Sequence, residues 1–361
     1  MSFLSNADVA RIARHAACAD DARWIHPDQQ VLLHERGWLR MLAPRALGGG
    51  ELALPDVVRL EEAIARADGS MGWTVTLCAG AGWFAGFLDP GLAREILATP
   101  NVCLAGSGAP TGFADREGDG WRIAGLWEYA SGAPMATHFT FNAVLREGGQ
   151  PLPDAAGQPR MQAFVVPAAL VEIVPNWRTM GLRATASHAY RVDDRWVHAR
   201  HGFVIDPAAA REPGPLYRFP FLAFAFVTLA ANVAGMGAHF VDLAHDSVAH
   251  RRHRFGNGEP LIEAPGVAAA LERARTELDG ARAEVHALLD TMWAHVAAGG
   301  QVSGDDAARL QTLAQAWVNA ARRAVDTLYP YCGLHAARED STINRVWRDF
   351  HTGAQHALLM P

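Results

Sequence analysis

The chain has 361 residues, half of them hydrophobic and 19% charged, a composition that suits a globular protein with a sizeable core. Its net charge of −6 gives no basic footprint for nucleic acid. The four cysteines lack metal or redox spacing, the sixteen histidines form no ligand pattern, and the polar N-terminus shows no apolar targeting run, so a reduced, cytoplasmic protein without a metal centre is expected.

Residues 1–100 carry apolar side chains at helical spacing over 7–17, 27–36, 54–67 and 90–98. In the third of these, Val57, Leu60, Ala63, Ile64 and Ala67 share one face. Asp68-Gly-Ser ends that helix and caps the next, whose nearly uncharged run predicts burial. From about Val102 the helical period disappears. Short strands are predicted at 102–106, 120–129, 138–145, 162–166, 171–174, 190–197 and 201–205, which together suggest a β-barrel or sandwich. From Pro215 the helical pattern returns over 221–252, 265–297, 303–329 and 344–359. The stretch 219–238 is apolar over the length of a membrane span, but it holds Pro220, Asn232, Gly235 and Gly237 and stands alone. It is expected at the centre of a helical bundle, with no membrane partner. The predicted architecture is α+β: a helical domain over 1–100, a β domain over 101–212 and a helical bundle over 213–361.

Certain stretches carry chemistry. Residues 121–132, WRIAGLWEYASG, begin as a strand and end in Ala130-Ser131-Gly132. Trp127 and Tyr129 followed by small residues make a wall for a planar cofactor, although an ordinary hairpin shares the pattern. A second stretch holds Trp177, Gly181-Leu182-Arg183, Thr185 and Ser187-His188. A third holds Arg345, Arg348-Asp349 and His356. On a continuous helix Arg345, Asp349, Thr352 and His356 would share a stripe, which favours His356 over His351 for proton transfer. A fourth, Arg252-His-Arg-Phe255-Gly256, sets a guanidinium where it could pair with phosphate or merely end a helix. Trp73, Trp83, Phe84, Phe224 and His188 are candidates for a hydrophobic substrate pocket.

Together these stretches resemble the acyl-CoA dehydrogenase superfamily, and more narrowly its two-component flavin-dependent monooxygenases that hydroxylate phenols. The resemblance runs through Gly125, Trp127, Tyr129, Ala130, Ser131 and Gly132, then the Trp177–His188 signature, then Arg345, Arg348, Asp349 and His356. It implies an acyl-CoA dehydrogenase-like fold ending in a four-helix bundle. It implies FAD or FMN, reduced by a separate flavin reductase, and hydroxylation of a hydrophobic substrate by molecular oxygen through a flavin C4a-hydroperoxide. Ser131 would sit by the flavin's reactive nitrogen, and His356 would serve acid–base work. Trp127, Tyr129, Trp177, Arg183, Thr185 and Ser187 would line the cofactor, and Arg252 with Phe255 would reach a diphosphate. A dehydrogenase needs a carboxylate base, but the two positions that would supply it hold His356 and Ala357, and 227–238 contains no acid. An acyl-CoA dehydrogenase and a non-catalytic flavin-binding protein remain alternatives. The surplus of apolar helix faces predicts a homotetramer.

Overall fold

The computed structural model describes residues 4–252 and 258–360. Its first stretch folds as α1 (Asn6–Ala22), α2 (Pro27–Glu35), α3 (Leu54–Ala67), α4 (Gly69–Trp83) and α5 (Pro90–Leu97). One residue joins α3 to α4. The Asp68 N–H donates to Ile64 O at 2.9 Å, and its Oδ1 accepts the Met71 N–H at 2.7 Å. One helix is thereby ended and the next capped, as the sequence predicts. With no charged side chain to keep in water, α4 is buried along nearly its whole length.

The strands are β1 (Leu104–Glu117), β2 (Gly120–Ala130), β3 (His138–Glu147), β4 (Gln150–Pro151), β5 (Met161–Pro167), β6 (Glu172–Val174), β7 (His188–His198) and β8 (Gly202–Phe203). They form one sheet in the order β6-β7-β2-β1-β3-β5-β8, with β4 attached to β3. β1 runs far past its predicted end, because its second half forms a hairpin with β2. β1 and β3 pair in parallel, and the other pairings are antiparallel. In a flat sheet β3 and β7 would stand roughly 14 Å apart, since β1 and β2 lie between them. Yet the Phe139 and Tyr190 rings are 4.7 Å apart, and Tyr190 OH donates to Thr140 O at 2.8 Å. The sheet therefore curls over its own aromatic core, in the manner of a barrel.

The last stretch forms α6 (Phe221–Ala249), α7 (Pro265–Ala297), α8 (Gly304–Leu328) and α9 (Thr342–Gly353). α6 has the length and hydropathy of a span, but 78% of its most apolar window is buried. Helices α3, α4, α8 and α9 cover it. Small residues bring these helices close. A Cβ on Gly72 would stand 2.6 Å from Ala65 Cα, and one on Gly235 would stand 2.4 Å from Glu62 O.

The burial of α3 also takes in an acid beside its apolar stripe. Glu61 is 0% exposed, and both its carboxyl oxygens lack a hydrogen-bond partner among the described residues. Burial pushes this carboxyl well above its ordinary value of 4.5. The folded state therefore holds a proton that the unfolded chain releases. Stability should fall as pH rises from the ordinary carboxyl range toward the folded pKa. Glu61→Gln removes that dependence, so its stability relative to wild type should be more favourable at about pH 8 than at about pH 5. Urea unfolding at both pH values checks this, and an unchanged difference would mean that folding takes up no proton at Glu61.

Candidate active site

The end of β2 departs from strand alternation. Its register against β7 shifts between Trp127 and Ala130, and Tyr129 adopts a φ of 68°. A bulge with a left-handed residue re-aims side chains. Trp127 turns inward and is fully buried, stacked on Tyr190 and donating Nε1–H to Asn142 O at 2.9 Å. Gly112 and Gly125 make room for it, since a Cβ on either would fall within 2.6 Å of its ring. The expectation that Trp127 walls the cofactor is corrected: it belongs to the aromatic core of the sheet. Tyr129 turns outward and is 66% exposed, with its ring meeting the half-buried Trp177 edge-on at 6.2 Å.

Behind Tyr129 lies a chain of buried hydroxyls. Ser131 Oγ is 2.8 Å from Ser187 Oγ, and Ser187 Oγ is 2.7 Å from Thr185 Oγ1. Thr185 Oγ1 donates to Leu182 O at 2.8 Å. A carbonyl cannot donate, so the direction of the whole chain follows: Ser187 donates to Thr185, and Ser131 donates to Ser187. Ser131 is left with only acceptor capacity for a further partner. The backbone around it is also held. Gly132 N–H donates to Thr185 O at 2.8 Å, and the Cys78 thiol donates to Ser131 O at 3.4 Å. Gly132 has a φ of 74°, and a Cβ there would stand 2.9 Å from Cys78 Sγ. An exposed aromatic face beside a pure acceptor fits a flavin, whose reduced form carries an N–H to donate.

The loop that carries these hydroxyls is anchored from α9. Asp349 Oδ1 accepts the Leu182 N–H at 2.5 Å. Burial pushes the Asp349 carboxyl up to about 8; the nearby Asp68 adds to the rise, while the Leu182 N–H opposes it. Leu182 is left-handed at φ 49°, and a Cβ on Gly181 would stand 2.0 Å from Arg348 O. The loop thus lies directly on the α9 backbone. Leu182 O also accepts Trp177 Nε1–H at 2.9 Å.

His356 is not on α9. The helix stops at Gly353, whose missing side chain lets Trp73, Met236 and Leu182 close in. The predicted stripe ends at Thr352, and His356 instead caps a separate 3-10 turn, Ala357–Leu359. Its ring lies 5.9 Å from that of Trp73, so it still faces the α4 turn whose Thr74 and Cys78 touch Gly132. His356 Nδ1 accepts the Leu358 N–H at 3.2 Å, which places the neutral ring's proton on Nε2. Burial lowers its pKa. At neutral pH the geometry therefore offers a hydrogen-bond donor rather than a general base.

Other candidate residues fall elsewhere. Trp83 lies ten residues from Trp73 along α4, roughly 15 Å. It is fully buried among Phe84, Phe221 and Phe224, with Nε1 donating to Leu216 O, and this aromatic group is core rather than pocket. His188 Nδ1 accepts the N–H groups of Asn176 and Trp177 at 3.2 and 3.1 Å, so it holds the loop instead of facing a pocket. Arg183 points to Asp20 at 3.5 Å. Arg252 folds back on Gly258 O at 2.7 Å, and Phe255 lies outside the described residues. Sequence reasoning missed Thr74, Cys78 and the anchoring role of Asp349. His15, Cys18 and His26 come within 4.8 Å of one another, a grouping that their spacing did not announce. Asp28 engages one nitrogen of each ring: its backbone N–H donates to His26 Nδ1 at 3.1 Å, capping α2, and its carboxylate lies 3.1 Å from His15 Nε2.

Residues 227–361 match the family described as acyl-CoA dehydrogenase, C-terminal domain. The chain is similar to a pigment production hydroxylase of Rhodococcus erythropolis, 29% identical over 90% of this chain and 84% of that protein. It is also similar to the flavin-dependent monooxygenase oxygenase subunit HsaA of Mycobacterium tuberculosis, 25% identical over 97% and 89%. In fold it matches XiaF from Streptomyces sp., solved with FADH2 and glycerol. That match has a TM-score of 0.88 at 21% identity and covers 97% of this chain and 89% of the other.

The Asp349–Leu182 contact gives a paired expectation. Asp349→Asn keeps an acceptor for the Leu182 N–H and should stay within about 1 kcal/mol of wild type at neutral pH. Asp349→Ala leaves that buried N–H unpaired and should cost roughly 1–3 kcal/mol. Urea unfolding separates them, and equal stabilities would deny the contact its role.

Proposed function

We propose that this chain, a member of the acyl-CoA dehydrogenase superfamily on the side of its flavin-dependent monooxygenases, is the oxygenase component of a two-component enzyme that hydroxylates a hydrophobic aromatic substrate. The observation that carries this reading is the directed hydroxyl chain, which presents Ser131 as an acceptor beside the exposed Tyr129. FAD or FMN, reduced by a separate flavin reductase, binds there. The bound reduced flavin supplies the activation of molecular oxygen.

The protein's share is position and polarity. Tyr129 and Trp177 present aromatic surface to the cofactor, and Ser131, set by Ser187 and Thr185, takes its hydrogen bond. Gly132 keeps the backbone close. Trp73 walls the substrate side, and His356 Nε2–H donates to the substrate's oxygen, stabilising negative charge there. Abstraction of a proton from a CH–CH substrate finds no free carboxylate at either position that would supply it among the described residues. The first acid on α6 is Asp242, and Arg66 holds it at 2.7 Å on the outside. The Asp349 carboxyl is spent on Leu182. The enzyme works in the cytoplasm as a homotetramer that covers the remaining apolar helix faces between subunits.

Single turnover of chemically reduced FMN or FAD with 18O-labelled oxygen and a phenol should place one labelled atom in the product. His356→Ala should bind flavin as wild type does, yet divert oxygen to hydrogen peroxide, with hydroxylated product down roughly 10²–10³-fold. Product yields equal to wild type would remove His356 from the site. Light scattering should give the mass of four chains, and a monomer at micromolar concentration would overturn the assembly.

A further inference from the structure

A hydroxyl can turn, and a lone serine beside a ring nitrogen can donate or accept as that nitrogen requires. Ser131 has lost this choice. Thr185 commits its proton to Leu182 O at 2.8 Å, a partner that can only accept. Ser187 must then give its proton to Thr185, at 2.7 Å, and Ser131 must give its own to Ser187, at 2.8 Å. All three side chains are at most 4% exposed, so water does not offer the protons another partner. The two buried backbone links to Gly132 N–H and Ser131 O keep the serine from swinging away.

The reactive ring nitrogen of a flavin changes its hydrogen-bonding sense with redox state. In reduced flavin it carries a hydrogen and donates. In oxidised flavin it has only a lone pair and accepts. We infer that Thr185 and Ser187 are positioning residues that set which redox state of the flavin this site holds, by fixing Ser131 as an acceptor. The inference rests on the reading that flavin lies at Ser131. Neither residue touches the flavin; each acts through the orientation of the next hydroxyl. Without the Thr185 hydroxyl, Ser187 is free to donate to Ser131. The Ser131 proton is then released to meet oxidised flavin, and the discrimination collapses.

The test is a ratio of affinities, measured on the full chain with reduced FMN under anaerobic conditions and with oxidised FMN in air. Thr185→Val and Ser187→Ala should each lower the preference for reduced over oxidised FMN by about 3- to 10-fold, the worth of one hydrogen bond. Thr185→Ser restores the hydroxyl and should restore the ratio. The double variant should do no more than either single one, because one chain is being cut twice. A folded Thr185→Val, judged by its melting temperature, that keeps the wild-type ratio would overturn the inference. So would a Thr185→Ser that behaves like Thr185→Val. Ser131→Ala separates this failure from that of the underlying reading. If it leaves both affinities unchanged, flavin does not lie at Ser131 and both fall. If it weakens reduced FMN while the Thr185 and Ser187 variants keep the wild-type ratio, only the role of the hydroxyl chain is lost.

Discussion

One buried contact organises the site: the Asp349 carboxyl receiving the Leu182 N–H. Neither partner has an easy alternative. The carboxyl is out of water and reluctant to ionise, and the N–H belongs to a left-handed residue in a loop pressed against a helix backbone. An unmade bond there would strand a buried donor. Held in place, Leu182 turns its carbonyl to receive Trp177, the Thr185 hydroxyl and the Thr185 N–H. The aromatic edge and the hydroxyl chain of the candidate site thus hang from one carbonyl, whose residue is held by its N–H on the preceding peptide.

The second constraint is the bulge at the end of β2. Strict alternation puts Trp127 and Tyr129 on the same face. The left-handed Tyr129 breaks that alternation, sending the larger ring into the core and the phenol ring outward. The glycines at 112 and 125 exist for Trp127, because no side chain fits where its ring lies. A strand that must both fill a barrel and offer a flat outer face has divided the work between neighbouring aromatics.

Much of this was legible in the sequence, and the failures have physical causes. Periodicity separated helix from strand because the two burial patterns differ, and the uncharged α4 and the apolar first half of α6 announced their own burial. The motifs named Ser131, Thr185, Ser187 and Asp349. Spacing could not say that the hydroxyls would line up, since Ser131 meets Ser187 across 56 residues of chain and the loop that carries Ser187 is anchored from α9. Trp127 was misplaced because a bulge leaves no mark on composition. His356 was assigned to a helical stripe because periodicity does not see where a helix stops; here the packing of Gly353 against Trp73 and Met236 decides it. Glu61 lies beside the apolar stripe of α3, and the crowding of α3 among its neighbours buries it.

Asp20 is a small detail of α1, yet its carboxylate meets Arg183 from the loop before β7 and Arg348 from α9, at 3.5 and 2.8 Å. It is 5% exposed, and so a single desolvated charge has its counter-charges in two other stretches of the chain. Freeing α1 would leave both guanidinium groups without their shared counter-charge. The helical, strand and helical regions are therefore distinct in pattern but tied by a shared charge cluster. One carboxylate on α1 is their common ionic junction.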